Sequence, residues 1–171
     1  FTTDNYTTAM RNMEYFQNLI GTFLYTLLVS LAQVISGLFI AYGFARFNFK
    51  GKNLLFGFVL LTLIVPQQIY AIPLYFQFKF FNLFGLLGKT GVSLIGNPLS
   101  IALLALTGLG LRSGLIIFML RQFFTQLPKE LEESAAIDGA NPFRTFFSIA
   151  LPSSTPMIVT SFLFCFVWQW T

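Results

Sequence analysis

Four stretches of this chain, residues 18–44, 53–76, 99–124 and 154–171, are almost free of charge and rich in large apolar side chains. A helix crosses the about 30 Å hydrocarbon core of a bilayer with about 20 such residues, so each stretch is at or near the length of a span. The first, second and fourth contain no Asp, Glu, Lys or Arg, while the third carries Arg112 and several glycines. A water-facing surface cannot be assembled from the remainder. Charged residues make up 9% of the chain, against about 25% in an ordinary soluble domain. Disorder is excluded by similar reasoning, because 23 phenylalanines are the opposite of the aromatic-poor, charge-rich composition that keeps a chain unfolded. The expected fold class is all-α, a polytopic helical membrane protein.

Orientation follows from the Lys and Arg residues near span ends. Arg46, Lys50 and Lys52 crowd the link between the first two runs, and Arg121, at the inner end of the third run, joins Lys129 and Arg144 toward the link between the third and fourth. The opposite side holds only Arg11, Lys79 and Lys89. This bias puts residues 1–17 outside and 127–152 in the cytoplasm. Because these cations are scattered singly or in small groups, the net charge of +4 forms no phosphate-binding cluster, and no nucleic-acid partner is expected. The absence of histidine and the single cysteine, Cys165, exclude a His/Cys metal site, a His-containing triad and an internal disulfide. Counted from Pro156, the last run rises about 24 Å. The chain also opens on Phe1 with no signal-peptide pattern, so a piece holding about four spans of a longer protein is expected.

Pro66 and Pro73 lie late in the second run, where a proline removes a helix donor and clashes with the preceding turn; a kink or an end is expected between them. The outer segment from Phe80 to Asn97 mixes apolar residues with glycines and reads as a short interfacial helix and a loop. The cytoplasmic link 127–152 is different in kind, because four of the six acidic residues fall between Glu130 and Asp138. Pro128 suits a helix start, and Glu130, Glu132 and Glu133 suit the positive end of the helix dipole. Gly139 then serves as a left-handed cap, and Asn141-Pro142 turns the chain into the apolar segment Phe143 to Leu151. Leu131, Ala135 and Ala136 leave a mostly small face that another backbone can approach. A solvated connector is the plainer alternative.

These residues carry a resemblance. Glu133-Ser134-Ala135-Ala136-Ile137-Asp138-Gly139-Ala140, with Ile149-Ala150-Leu151-Pro152 after it, resembles the EAA loop of permease subunits of bacterial ATP-binding-cassette importers, carbohydrate branch, maltose type. Ala41-Tyr42-Gly43-Phe44-Ala45-Arg46-Phe47, Ile64-Val65-Pro66 with Ile72-Pro73-Leu74-Tyr75, and Leu120-Arg121-Gln122-Phe123-Phe124 with Leu127-Pro128-Lys129-Glu130-Leu131-Glu132 agree with that branch. The resemblance implies a permease core of six spans, of which this chain holds the second to the fifth, in the bacterial inner membrane. It also implies a cytosolic ATPase dimer as partner, a second and different permease subunit, and an extracytoplasmic sugar-binding protein. ATP and Mg would reside on the ATPase, with no cofactor bound by this chain. Glu133 would meet the ATPase and Gly139 would form the bend, with Ser134, Ala135 and Asp138 completing the coupling surface. Ser134 departs from the Ala the motif prefers, and its hydroxyl needs a partner.

For the cargo pathway the candidates are Arg112, Trp168, Gln169, Trp170 and Gln67. A charge at membrane depth faces a cavity or a partner, and an indole beside an amide suits a sugar, which offers C–H faces and hydroxyls. Pairing of Arg112 with carbonyls and interfacial anchoring of the tryptophans are the structural alternatives. Two residues apart on a helix, Trp168 and Trp170 cannot share one face. An intramembrane enzyme lacks its chemistry here, since no acid or lysine falls within a run. The expected function is therefore a non-enzymatic permease subunit of an ATP-driven carbohydrate importer; an importer of another small solute or a passive channel are the alternatives.

Overall fold

The computed structural model describes residues 3–82 and 91–170. Among the described residues ten α-helices follow one another: α1 (Asp4–Asn12), α2 (Tyr15–Arg46), α3 (Lys52–Ile64), α4 (Gln67–Lys79), α5 (Pro98–Leu106), α6 (Ser113–Gln126), α7 (Lys129–Ile137), α8 (Pro142–Thr145), α9 (Leu151–Ser153) and α10 (Thr155–Trp170). A π-helical turn, Phe146–Ala150, joins α8 to α9. Extended pairing among the described residues is confined to one antiparallel bridge, Phe81 to Val92. Of the segment Phe80 to Asn97, expected as a short interfacial helix and a loop, residues 83–90 lie outside the described residues.

The uninterrupted apolar run of α2 makes it the central rod, about 48 Å long at 1.5 Å per residue. Among the described residues it is the one single helix long and apolar enough to cross a membrane. Val34, Leu38, Ala41 and Tyr42 on α2 pack with Ile116, Ile117, Leu120 and Phe124 on α6, with Phe146 and Ala150 before α9, and with Cys165 on α10. α10 runs antiparallel to α2. Phe23 meets Phe166 and Trp170 at one end (ring centroids 5.7 and 6.5 Å), and Phe39 meets Phe146 (5.2 Å) toward the other. Away from this core, Leu28, Leu54, Ile64, Ile69 and Leu163 are exposed, a surface whose natural solvent is lipid or another membrane subunit.

The second and third apolar runs are each broken. Pro66 has no N–H and disfavours helical geometry at the residue before it. Val65 is accordingly extended (φ −72°, ψ 119°), and α3 ends at Ile64. Residues Gln68–Lys79 lie at 107° to α3, while Pro73 is carried inside α4. In the third run α5 closes at Thr107, where the Leu109 N–H returns to the Leu104 carbonyl (2.9 Å), and α6 begins only after Arg112. The segment Pro142–Ser153 is in turn bent by 77° from α10. Its π turn immediately precedes Pro152, which has no N–H to return to the Ser148 carbonyl.

A helix break at membrane depth is tolerated when neighbouring side chains satisfy the freed backbone groups. α2 supplies them. The Gln33 amide nitrogen donates to the Leu111 carbonyl (2.6 Å), and the Ser36 hydroxyl donates to the Ala105 carbonyl (2.6 Å). Gln33 is 1% exposed, and Gln33→Leu leaves the part-buried Leu111 carbonyl without its donor. The expected loss is about 1–3 kcal/mol, measured as a lower unfolding temperature in detergent, with the exposed Ile35→Leu as a neutral control.

Candidate functional site

Beyond the third apolar run, the acid run folds as α7 with Pro128 at its N-cap and Glu130 and Glu132 in its first turn. Gly139, at φ +81°, follows the helix. Its N–H donates to the Ala136 carbonyl (3.0 Å) and the Ala140 N–H to the Ala135 carbonyl (2.9 Å). This pair of bonds is a Schellman cap, whose left-handed residue is glycine because a Cβ would be strained there. Asn141 then caps α8, its side-chain oxygen accepting from the Arg144 N–H (2.8 Å). The Ser134 hydroxyl finds its partner in the Glu130 carbonyl (2.7 Å). Glu133, Ser134, Asp138 and Gly139 are exposed and Ala135 is half-buried. Two large apolar side chains beside them, Ile137 and Phe143, are 87% and 71% exposed.

This helix-turn-helix is latched to the core. The Arg46 guanidinium at the end of α2 donates through Nε to the Glu132 carboxylate (2.7 Å) and through Nη2 to the Leu127 carbonyl (3.0 Å). The two side chains are 7% and 18% exposed, and theirs is the one ion pair among the described residues. Glu133 makes none. The latch also brings the two basic links to one end of the bundle.

A second group of residues lies along the helices well away from that end. Helical rise of about 20 Å separates Gln33 from Arg46, Ile64 from Lys52, Arg112 from Leu127 and Trp168 from Thr155, so four elements present polar or broken backbone at one level. A cleft of about 470 Å³ opens there, lined by Thr62, Leu63, Val65, Pro66, Gln68, Arg112 and Leu115. Arg112 has φ +54°, a left-handed conformation that costs a non-glycine residue about 1–2 kcal/mol. Its guanidinium carbon lies 4.8 Å from the centre of the Trp168 ring. Trp170 points elsewhere, stacking on Phe166 (5.9 Å) near Phe23. Gln169 is half-buried, its amide nitrogen without a hydrogen-bond partner among the described residues. Gln67 starts α4 beside the cleft, but its side chain is outside the described set.

Residues 33–171 match the family described as the binding-protein-dependent transport system inner membrane component. The chain belongs to that family of permeases. It is 32% identical to the alpha-glucoside transport system permease protein of Rhizobium meliloti, over 99% of this chain and 42% of that protein. It is 31% identical to the trehalose transport system permease protein of Mycobacterium tuberculosis, over 99% of this chain and 57% of that one. With the sn-glycerol-3-phosphate transport system permease protein of Pectobacterium atrosepticum it shares 30% identity over 89% of this chain and 48% of the relative. The chain spans about half the length of the curated relatives it matches.

Within this permease, the structure brings Arg112 and Trp168 together and leaves Trp170 apart. Two features escaped the sequence. The first is the Arg46–Glu132 latch, since both residues were legible only as a basic link and an acid run. The second is the Ser36 support of the broken α5–α6 segment; Gln33 beside it reads from the sequence as an interhelical hydrogen-bond partner, and it is one, to the Leu111 carbonyl.

Proposed function

We propose that this chain is part of the transmembrane subunit of an ATP-driven importer of carbohydrates, in which α7 and α8 seat on a cytosolic ATPase. One observation carries the reading: the loop presents an unpaired carboxylate, Glu133, between the exposed apolar side chains Leu131, Ile137 and Phe143, on a scaffold already fixed by the Gly139 cap and the Arg46–Glu132 latch. Exposed isoleucine and phenylalanine at an aqueous surface are anchors for a protein partner. A carboxylate among them gives register through a charge-assisted bond. Closure of the ATPase around bound ATP and Mg then moves the loop, and the latch passes that movement to α2. The cargo is delivered by an extracytoplasmic binding protein, and a second, different permease subunit covers the exposed faces of α3 and α4. The carbohydrate assignment is supported by relatives whose names specify alpha-glucosides and trehalose. Arg112 and Trp168, with Gln67 and Gln169 nearby and Trp170 as a lesser candidate, line its path.

The test is co-purification from membranes of the full-length subunit, comparing wild type with Glu133→Ala and Gly139→Pro and identifying the retained proteins. Wild type is expected to retain an ATPase. Gly139→Pro should lose it, because proline cannot adopt φ +81°, and Glu133→Ala should retain about tenfold less, the worth of one charge-assisted hydrogen bond. No ATPase with wild type would sink the reading.

A further inference from the structure

We propose that Tyr42 is a positioning residue of the loop: its hydroxyl steadies the Glu132 carboxylate for Arg46, and its ring ties that contact to α6 and to the π turn. This rests on the importer reading above and adds to it the residue through which movement of α7 reaches the segment that leads into α10.

Tyr42 and Arg46 lie four residues apart on α2, so their side chains share one face of it. The Arg46 Nε donates to the Glu132 carboxylate (2.7 Å), and the Tyr42 hydroxyl reaches the same carboxylate as a second donor. A carboxylate has room for several donors, and a buried tyrosine hydroxyl takes a polar partner. Tyr42 is 7% exposed. Its ring is held by three others, Phe146 at 4.8 Å, Phe124 at 5.5 Å and Phe47 at 6.0 Å between centroids. Phe124 and Phe146 also meet each other, at 6.4 Å.

These contacts bracket the loop. The chain leaves the core near the end of α6, where Phe124 lies, forms α7 and α8, and returns at Phe146, the first residue of the π turn. Tyr42 therefore touches both ends of the excursion and the acid within it. Each aromatic pair contributes about 0.5–1.5 kcal/mol beyond its buried area, so the ring is fixed on several sides and cannot swing freely. A displacement of Glu132 then has two outcomes: the hydroxyl lets go, or the ring moves and carries Phe146 with it. The second outcome is directed at a bend, because Pro142–Ser153 meets α10 at 77°. A π turn is a local departure from the regular helix ladder, often found where function requires one. Arg46 supplies the charge that holds the acid, and Tyr42 supplies the link from that acid to the π turn.

The experiment separates the hydroxyl from the ring, using the full-length subunit with its co-purified partners in lipid nanodiscs and deuterium exchange as the readout. Tyr42→Phe keeps the ring. It is expected to speed exchange of residues 129–140 about tenfold, the effect of one hydrogen bond to a charged group, and to leave the α2 core and the unfolding temperature as in wild type. In a Glu132→Ala background the same substitution should add little, because its partner is already gone. Unchanged exchange in Tyr42→Phe overturns the proposal, as does a full tenfold effect without Glu132. Tyr42→Leu, which removes the ring, marks the structural contribution; a fall in unfolding temperature as large in Tyr42→Phe as in Tyr42→Leu also overturns it. The relay is read with MgATP and orthovanadate as the probe. Wild type should change exchange at 129–140 and at 146–154 together, whereas Tyr42→Phe should respond at 129–140 and largely lose the response at 146–154. A joint response in Tyr42→Phe rules the relay out. A wild type that carries no ATPase, or gives no response at 129–140, removes the importer reading and the relay with it, while the comparison without nucleotide decides the hydroxyl contact by itself.

Discussion

Gly114→Val is expected to remove most of the folded subunit from membranes. Gly114 lies in the first turn of α6, where α3 crosses so closely that a Cβ would meet the Thr62 hydroxyl and stand 2.8 Å from the Val59 carbonyl oxygen, with Leu63 at 3.3 Å. The Thr62 side chain has little room to yield, because its hydroxyl is already bonded to that same carbonyl (2.7 Å). Relief therefore requires α3 as a whole to move away. Association of membrane helices depends on such close backbone approach through small residues, and overpacking a tight site costs about 1–3 kcal/mol or more. Gly57→Val is the matched control, since a Cβ on Gly57 meets nothing within 4 Å. The measurement is the detergent-resistant monodisperse fraction of each variant. A Gly114→Val subunit recovered at wild-type level would mean that α3 and α6 are not held in this register.

The second large effect is expected from the latch. Arg46→Ala removes the ion pair to Glu132 and the bond to the Leu127 carbonyl together. Both side chains are largely buried, so the stranded carboxylate adds to the loss; removal of one partner of a buried pair costs about 3–5 kcal/mol, and partial exposure reduces this to roughly 2 kcal/mol. The consequence is local. Amides of residues 129–140 should exchange with deuterium about tenfold faster or more, while the α2 core keeps its protection. Glu132→Ala should match this, and the double variant should add little, because the two changes remove one interaction. Unchanged exchange in Arg46→Ala would show that the loop is held by something else.

Much of this architecture is written in local pattern. The charge-free run of α2, the acids that open α7, the Gly139 cap and the Asn141-Pro142 turn all depend on neighbours within a few residues, and a sequence shows those directly. The extended Val65 before Pro66 is equally local. Other features are set by partners far along the chain. Nothing near Arg46 names Glu132, and nothing near Arg112 names Trp168 as the ring it faces. The continuation of α4 through Pro73 depends on its surroundings, and the same holds for the π turn before Pro152. Of the candidate cargo residues, the separation of Trp168 from Trp170 followed from helical geometry alone. Which of the two meets Arg112 depended on how α10 is rotated against α6, a packing choice no single helix contains.

The unbroken length of α6 has a mechanical consequence. From Ser113 to Gln126 it is one rod of about 21 Å, joined at its lower end directly to α7 through Leu127 and Pro128. A hydrogen-bonded helix is stiff along its axis, so an axial thrust applied beside Leu127 arrives at Arg112 almost undiminished. α5, separated from that rod by the turn at 107–112, is free to lag behind. On the proposed importer reading, a stroke of the loop reaches the Arg112 wall of the cleft along this rod, while the opposite wall belongs to α3 and α4.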